Sequence, residues 1–162
     1  MQDFLDGKLL LIDKDLHWTS FDVIKKIKYL LKSKLGIKKI KVGHAGTLDP
    51  LASGLLIVCT GKLTKQIPQI QDQSKVYTGI IELGAVTASY DLESEVEPKA
   101  DPMHLRNEEL QEAAQKLSGK IEQLPPIFSA KKIDGKRAYD LARKGEKPQM
   151  NPKEVNILAF EL

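Results

Sequence analysis

The sequence predicts an α+β domain, on the evidence of two kinds of apolar pattern. Residues 21–35 and 107–117 carry apolar side chains at helical spacing. Residues 8–13, 54–60 and 74–84 are apolar runs or alternations that are typical of strands. A chain of 162 residues is long enough to bury a core. We therefore expect a domain built from both helices and strands.

The composition favours a globular protein of the cytoplasm. Its 41% hydrophobic and 29% charged residues are ordinary for a soluble domain. No apolar run approaches a membrane span, and no secretory leader opens the chain. The single cysteine, Cys59, excludes an internal disulfide and suits a reducing compartment. It lies inside an apolar run, so we expect a buried thiol and not a nucleophile.

The first half of the chain begins with a strand over 8–13, which a helix follows. Ser20 can cap a helix from Phe21 to Leu35, with Asp22 in its first turn. The side chains expected on the buried face of that helix are Ile24, Ile27, Leu31 and Leu35. Gly36 fits a left-handed cap at its end. A short strand over 37–42 and a buried strand over 54–60 follow.

The second half alternates in the same way. A short helix near 62–67 should end at Pro68, and 74–84 should form a strand. Asn107 can cap a helix that runs to Leu117. Asp134-Gly135 predicts a hairpin turn between short strands. Residues 154–162 alternate again and predict a last strand.

The charge distribution says more than the net charge of +3. One block is basic and consists of Lys25, Lys26, Lys28, Lys32, Lys34, Lys38, Lys39 and Lys41. A later block is acidic and consists of Asp91, Glu93, Glu95, Glu97 and Asp101. Such asymmetry indicates a footprint for a polyanion on one face. The alternative is a solvated, lysine-rich helix.

The loop over 43–54 is the candidate site, with the sequence Gly-His-Ala-Gly-Thr-Leu-Asp-Pro-Leu-Ala-Ser-Gly. Its carboxylate, Asp49, is the only acidic residue between Asp22 and Asp72. The surrounding lysines should keep it ionised, and it stands before a core strand, a good place for a reactive group. An ordinary Asx-turn is the structural alternative. A phosphate-loop nucleotide site after that strand is disfavoured, because Leu56 and Leu63 stand where Gly and Ser or Thr are needed.

Residues 43–56 resemble the signature of the TruB family of tRNA pseudouridine synthases. A second match covers 124–145, and Asp13-Lys14 with Thr19-Ser20 resemble the opening segment of the family. Asp15 and His17 stand there in place of the usual Pro and Gly. The resemblance implies a mixed, mostly antiparallel sheet flanked by helices, the pseudouridine synthase fold. It makes residues 1–162 the N-terminal portion of a catalytic domain, with a basic RNA-clasping segment near 124–150 and no second domain.

The implied reaction converts a specific uridine in the T-arm loop of tRNA into pseudouridine. The bond from ribose C1′ to N1 of the base is broken and remade to C5, so no cofactor or metal is required. Three scattered histidines and one cysteine offer no metal-ligand spacing. Asp49 is the candidate nucleophile and attacks either C6 of the base or C1′ of the sugar. We expect tRNA as partner, no membrane, and a monomer for the full-length enzyme.

The remaining site residues follow from the same resemblance. His44 should contact RNA beside the flipped base, and Tyr77 should pack on that base and is a candidate to take the C5 proton. Asp91 matches a residue that pairs with an active-site arginine. Lysines and arginines expected to contact phosphate are Lys62, Lys65, Lys131, Lys132, Arg137 and Arg143.

The segment that supplies that arginine in the family, a Gly-Thr-Tyr-Ile-Arg-like strand, is not found in the chain. The sheet is therefore expected to be incomplete at its C-terminal end, and these residues alone are expected to be inactive. Two alternatives remain open. One is an RNA-binding module without turnover. The other is a related family member that modifies other RNAs with guide particles.

Overall fold

A computed structural model describes residues 2–127, 132–133, 135–138, 141, 145 and 149–162. The chain forms two compact units, residues 1–79 and 80–162. Helices and strands occur in both, and every strand pair described is antiparallel. The prediction of an α+β fold is confirmed. No helix in the described part of the chain is long and apolar enough to cross a membrane.

The first unit is built on a three-stranded sheet. Strand β3 (Gly54–Thr60) lies between β1 (Leu9–Lys14) and β2 (Val42–His44). Ile12 stands opposite Leu56, and His44 stands opposite Val58. The predicted strands over 8–13 and 54–60 are confirmed. The third strand begins at Val42, where the strand predicted over 37–42 ends.

Helix α2 (Ser20–Leu35) supplies the other half of this core. Val23 and Ile24 pack with Leu56 and Val58 of β3 in a cluster of buried side chains. Burial of such apolar groups is the main favourable term in folding. The helix ends at Gly36, whose φ of 65° is left-handed as predicted.

The N-terminal cap of α2 is Thr19, and the prediction that Ser20 caps the helix is wrong. The Thr19 hydroxyl accepts a hydrogen bond from the Asp22 N–H at 3.0 Å, and the Thr19 N–H donates to the Asp22 carboxylate at 3.3 Å. Hydrogen bonding to Thr19, and then to Lys25, lowers the pKa of Asp22. This reciprocal pair satisfies two free N–H donors at the start of the helix, those of Asp22 and Thr19, and leaves the Ser20 hydroxyl for another contact.

Two short elements complete the first unit. Helix α1 (Gln2–Asp6) opens the chain, and a 3₁₀ turn (Gly61–Gln66) leads into helix α3 (Ile67–Gln71). Pro68 lies in the first turn of α3, so the prediction that it ends a helix is wrong. A proline is tolerated in a first turn because its missing N–H would have no partner there.

The strand predicted over 74–84 does not form. Residues 74–82 have no regular structure, and Val76 and Ile80 are 94% and 98% exposed. An alternating apolar segment becomes a strand only where another strand meets its N–H and C=O groups. None of the described strands pairs with it.

The second unit contains pairs of short strands and one longer helix. Strand β4 (Ala85–Val86) pairs with β5 (Glu97–Pro98), and a 3₁₀ turn (Pro102–His104) leads to α4 (Asn107–Lys116). The cap of α4 is Arg106, one residue earlier than predicted, and its N–H donates to Glu109 at 2.9 Å.

Two further strand pairs lie in this unit. Strand β6 (Gly119–Gln123) pairs with β9 (Lys153–Ile157), which is shorter than the strand predicted over 154–162. Strands β7 (Lys132–Ile133) and β8 (Lys136–Arg137) confirm the predicted hairpin, and Gly135 between them has a left-handed φ of 82°.

Candidate functional site

The loop that carries Asp49 connects two neighbouring strands. It leaves β2 after His44 and enters β3 at Gly54, the central strand of the sheet. The Ala45 N–H donates to the Ile57 carbonyl at 2.8 Å and extends the ladder by one bond. The candidate carboxylate therefore stands on a connection that both strands anchor.

The Asp49 carboxylate is exposed. Its backbone carbonyl accepts a hydrogen bond from the Ala52 N–H at 3.0 Å, which closes a turn. Within the residues the structure describes, nothing forms a hydrogen bond or ion pair with its side chain. Its two oxygens are thus available to an external molecule, as a nucleophile requires.

The residues on both sides of Asp49 are held by the segment 17–20. The Ser20 hydroxyl donates to the Leu48 carbonyl at 3.1 Å and accepts from the Leu48 N–H at 2.9 Å. The His17 N–H donates to the Pro50 carbonyl at 2.7 Å. These bonds fix the backbone before and after the carboxylate.

A buried lysine shapes the segment that makes these contacts. Lys14 is fully buried at the end of β1, and its ammonium donates to the carbonyls of Asp15 at 3.0 Å and Trp18 at 2.7 Å. His17, in between, has a left-handed φ of 65°. This backbone shape favours glycine, and His17 adopts it with a full side chain.

His44 lies at the end of β2, five residues before Asp49, and is half-buried. Its Nδ1 forms a hydrogen bond with the Gly46 carbonyl. A carbonyl only accepts, so Nδ1 carries the proton and Nε2 is an acceptor in the neutral ring. His44 and Asp49 therefore share one connection.

The other two predicted substrate contacts are not brought to this loop by any described bond. Tyr77 follows α3 in an irregular stretch and is 74% exposed. Asp91 belongs to the second unit, where its Oδ1 accepts from the Ser89 hydroxyl at 2.5 Å and the Glu93 N–H at 2.9 Å. This is an Asx-type turn.

The predicted phosphate contacts fall into three groups. Lys62 is exposed and pairs with Asp6 at 2.8 Å, which raises the pKa of Lys62 and lowers that of Asp6. Lys65 is exposed. Lys132 and Arg137 stand opposite each other in the hairpin, and Lys131 and Arg143 lie outside the described residues.

Metal and thiol chemistry receive no support from the described part of the chain. It contains no group of three or more His, Cys, Asp or Glu side chains placed to hold a metal. Cys59 is buried in β3, and burial raises the pKa of its thiol. A raised pKa disfavours the reactive thiolate, so the prediction of a buried core thiol is confirmed.

Sequence reasoning missed Ser20 and Lys14 as supports of the loop. One signal for Ser20 was present, because Thr19 and Ser20 are adjacent hydroxyls at a helix start and only one can be the cap. Nothing in the local sequence marks Lys14 as buried, since lysine is almost always exposed.

Comparison with known proteins gives consistent matches. The family model described as "TruB family pseudouridylate synthase (N terminal domain)" matches residues 32–162. The tRNA pseudouridine synthase B of Phocaeicola vulgatus is 53% identical over 160 residues, which are 99% of this chain and 68% of the relative. Those of Parabacteroides distasonis and Flavobacterium johnsoniae are each 49% identical over 99% of this chain, and 68% and 71% of the relatives are covered.

Proposed function

Since the chain belongs to the TruB family of pseudouridylate synthases, we propose that it converts one uridine in the T-arm loop of tRNA into pseudouridine, with Asp49 as nucleophile. The proposal is supported mainly by the position and surroundings of the Asp49 carboxylate. It is exposed, has no side-chain partner among the described residues, and stands on a loop whose backbone is held on both sides.

The chemistry needs a nucleophile and a route for one proton. Asp49 forms a covalent bond to C6 of the base or to C1′ of the ribose, and the C1′–N1 bond breaks. The C1′–C5 bond then forms, the C5 hydrogen leaves as a proton, N1 gains a proton, and the carboxylate is released unchanged. Neither electrons nor groups are lost, so we propose no cofactor.

The uridine must leave its stack to reach the loop, at a cost of about a few kcal/mol. We propose that Tyr77 stacks on the extruded base, a contact worth about 1–3 kcal/mol. The exposure of its ring leaves a face available for this. His44 is proposed to contact the RNA through Nε2, since Nδ1 is engaged by Gly46.

Two basic regions are proposed to bind phosphate. One is the segment near 124–150, where the described hairpin pairs Lys132 with Arg137. The other is a flank of α2 on which Phe21, Lys25, Lys28 and Lys32 recur at helical spacing. Lys25 bonds to Asp22 and lies over the Phe21 ring. Lys28 and Lys32 are exposed and form no ion pair within the described residues.

Removal of the positive charges of Lys28 and Lys32 should make tRNA binding weaker and less sensitive to salt. Lys32 lies in the last turn of α2, where a cation is favourable, but helix stability gives no reason for a second lysine four residues earlier at Lys28. Lys28→Gln with Lys32→Gln is expected to reduce the slope of log affinity against log salt by about 1 for each lost phosphate contact. The measurement is tRNA binding at several salt concentrations.

The matched control is Lys26→Gln with Lys34→Gln, which removes the same charge from other sides of α2. For this control, the slope of log tRNA affinity against log salt should stay close to that of the unmodified protein. Equal slopes for the two double variants would show that tRNA binding depends on net charge and not on the lysines of this flank.

The function itself is tested by release of tritium from tRNA that carries uridine labelled at C5. We use the term enzyme for the protein expressed from its complete reading frame. The enzyme should release one tritium per pseudouridine formed. Mapping of the product should place the new pseudouridine in the T-arm loop. Tight tRNA binding without release would support a silent RNA-binding module instead. Tritium release from a uridine in another loop would support the proposed reaction but refute its proposed position in the T-arm loop.

The setting follows from the substrate. We propose that the enzyme acts as a monomer on tRNA in the cytoplasm, where the single buried thiol of Cys59 stays reduced.

A further inference from the structure

The contact between Ser20 and Leu48 joins two parts of the chain that are 28 residues apart. Ser20 is only 2% exposed, and its hydroxyl forms two hydrogen bonds with the same residue, one to the carbonyl and one from the N–H. Thr19 already caps the helix, so the Ser20 hydroxyl is not needed for that purpose. Its role is tertiary.

We propose that Ser20 is a positioning residue for the reaction, which fixes the backbone directly before Asp49 so that the carboxylate faces the uridine. The inference rests on the proposed function of Asp49. It assigns to Ser20 no contact with the substrate and no proton transfer.

Within the described residues, no hydrogen bond holds the Asp49 carboxylate in place. Its direction is therefore set by the backbone that carries it. A displacement of about 1 Å at a reacting group can cost about 10²-fold in rate, so control of this backbone matters for turnover.

The backbone is controlled at two points, one on each side. Ser20 holds both polar groups of Leu48, and the His17 N–H holds the Pro50 carbonyl. A single hydrogen bond permits rotation about its own axis, whereas two bonds to the N–H and carbonyl of one residue do not. Of the two points, only the Ser20 contact uses a side chain, so it can be removed by substitution.

The test compares Ser20→Ala with Ser33→Ala, a matched control at an exposed position of the same helix. Single-turnover rate, tRNA affinity and thermal unfolding are measured for each variant of the enzyme. Ser20→Ala is expected to lower the single-turnover rate by about 10- to 100-fold while tRNA affinity stays within about 2-fold. Ser33→Ala should match the unmodified enzyme in all three measurements.

A second variant, Ser20→Cys, keeps the side-chain volume but forms weaker hydrogen bonds. It should lower the rate by less than alanine does, and it replaces Ser20→Ala if that variant fails to fold. A rate within about 2-fold of the unmodified enzyme in the folded variant would overturn the positioning role. So would a rate loss that is matched by an equal loss of tRNA affinity.

Asp49→Asn, measured in the same assay, separates the two proposals. If Asp49→Asn is inactive and the Ser20 variants are fully active, only the positioning role fails. If Asp49→Asn is fully active, the nucleophile role of Asp49 fails, and if the unmodified enzyme releases no tritium, the proposed function fails whatever Ser20 does.

Discussion

Replacement of Asp49 by asparagine is expected to lower pseudouridine formation by about 10⁴-fold or more, the size of loss typical for a covalent nucleophile. Asparagine keeps the shape of the side chain but has no negative oxygen to form the bond. Since the carboxylate has no partner among the described residues, its loss should disturb neither the loop nor the core. Affinity for tRNA should stay unchanged.

The measurement is tritium release under single turnover, together with tRNA binding. Asp72→Asn is a suitable control, because Asp72 is exposed after α3 and its side chain has no described bond. It should behave as the unmodified enzyme. An Asp49→Asn variant that still works at a normal rate would refute a covalent role for this residue.

Replacement of Leu56 by alanine should be the most damaging change to stability, with a loss of about 2–5 kcal/mol in the free energy of unfolding. Leu56 is 1% exposed in the middle of β3 and packs with Val23, Ile24 and Val58. Its removal leaves a cavity at the centre of the first unit, because strands on both sides limit how far the sheet can collapse.

The neighbouring Leu55 provides the matched control. It is the same residue type in the same strand, but it points to the other face of the sheet and is 60% exposed. Leu55→Ala should change the free energy of unfolding by about 0.5 kcal/mol or less. Denaturant unfolding of both variants measures the difference, and equal losses would contradict the packing described for β3.

The core elements could be predicted from sequence because their patterns are long and continuous. The apolar run of β3 and the helical spacing of α2 gave bounds that match the structure to within a residue. Strand β6 was missed, since Ile121 is its only half-buried side chain. The prediction of a strand over 74–84 was wrong for the opposite reason. The apolar pattern of this segment is strong, but no described strand pairs with it.

The candidate site was predicted only in part. A lone carboxylate in a Gly-rich loop before a core strand was visible in the sequence, and the structure places Asp49 there. The Ser20 and Lys14 contacts were not visible, since they depend on the folded path of the chain. A short motif cannot show what its backbone touches elsewhere.

The connection from β2 to β3 has a mechanical consequence. Its first end, His44, is paired with Val58, four residues along β3 from its second end at Gly54, and its middle is tied at Leu48 and Pro50. The backbone of this restrained segment can change its conformation only a little when a ligand approaches. If a polynucleotide binds here, we therefore expect the nucleic acid, and not the loop, to change its conformation.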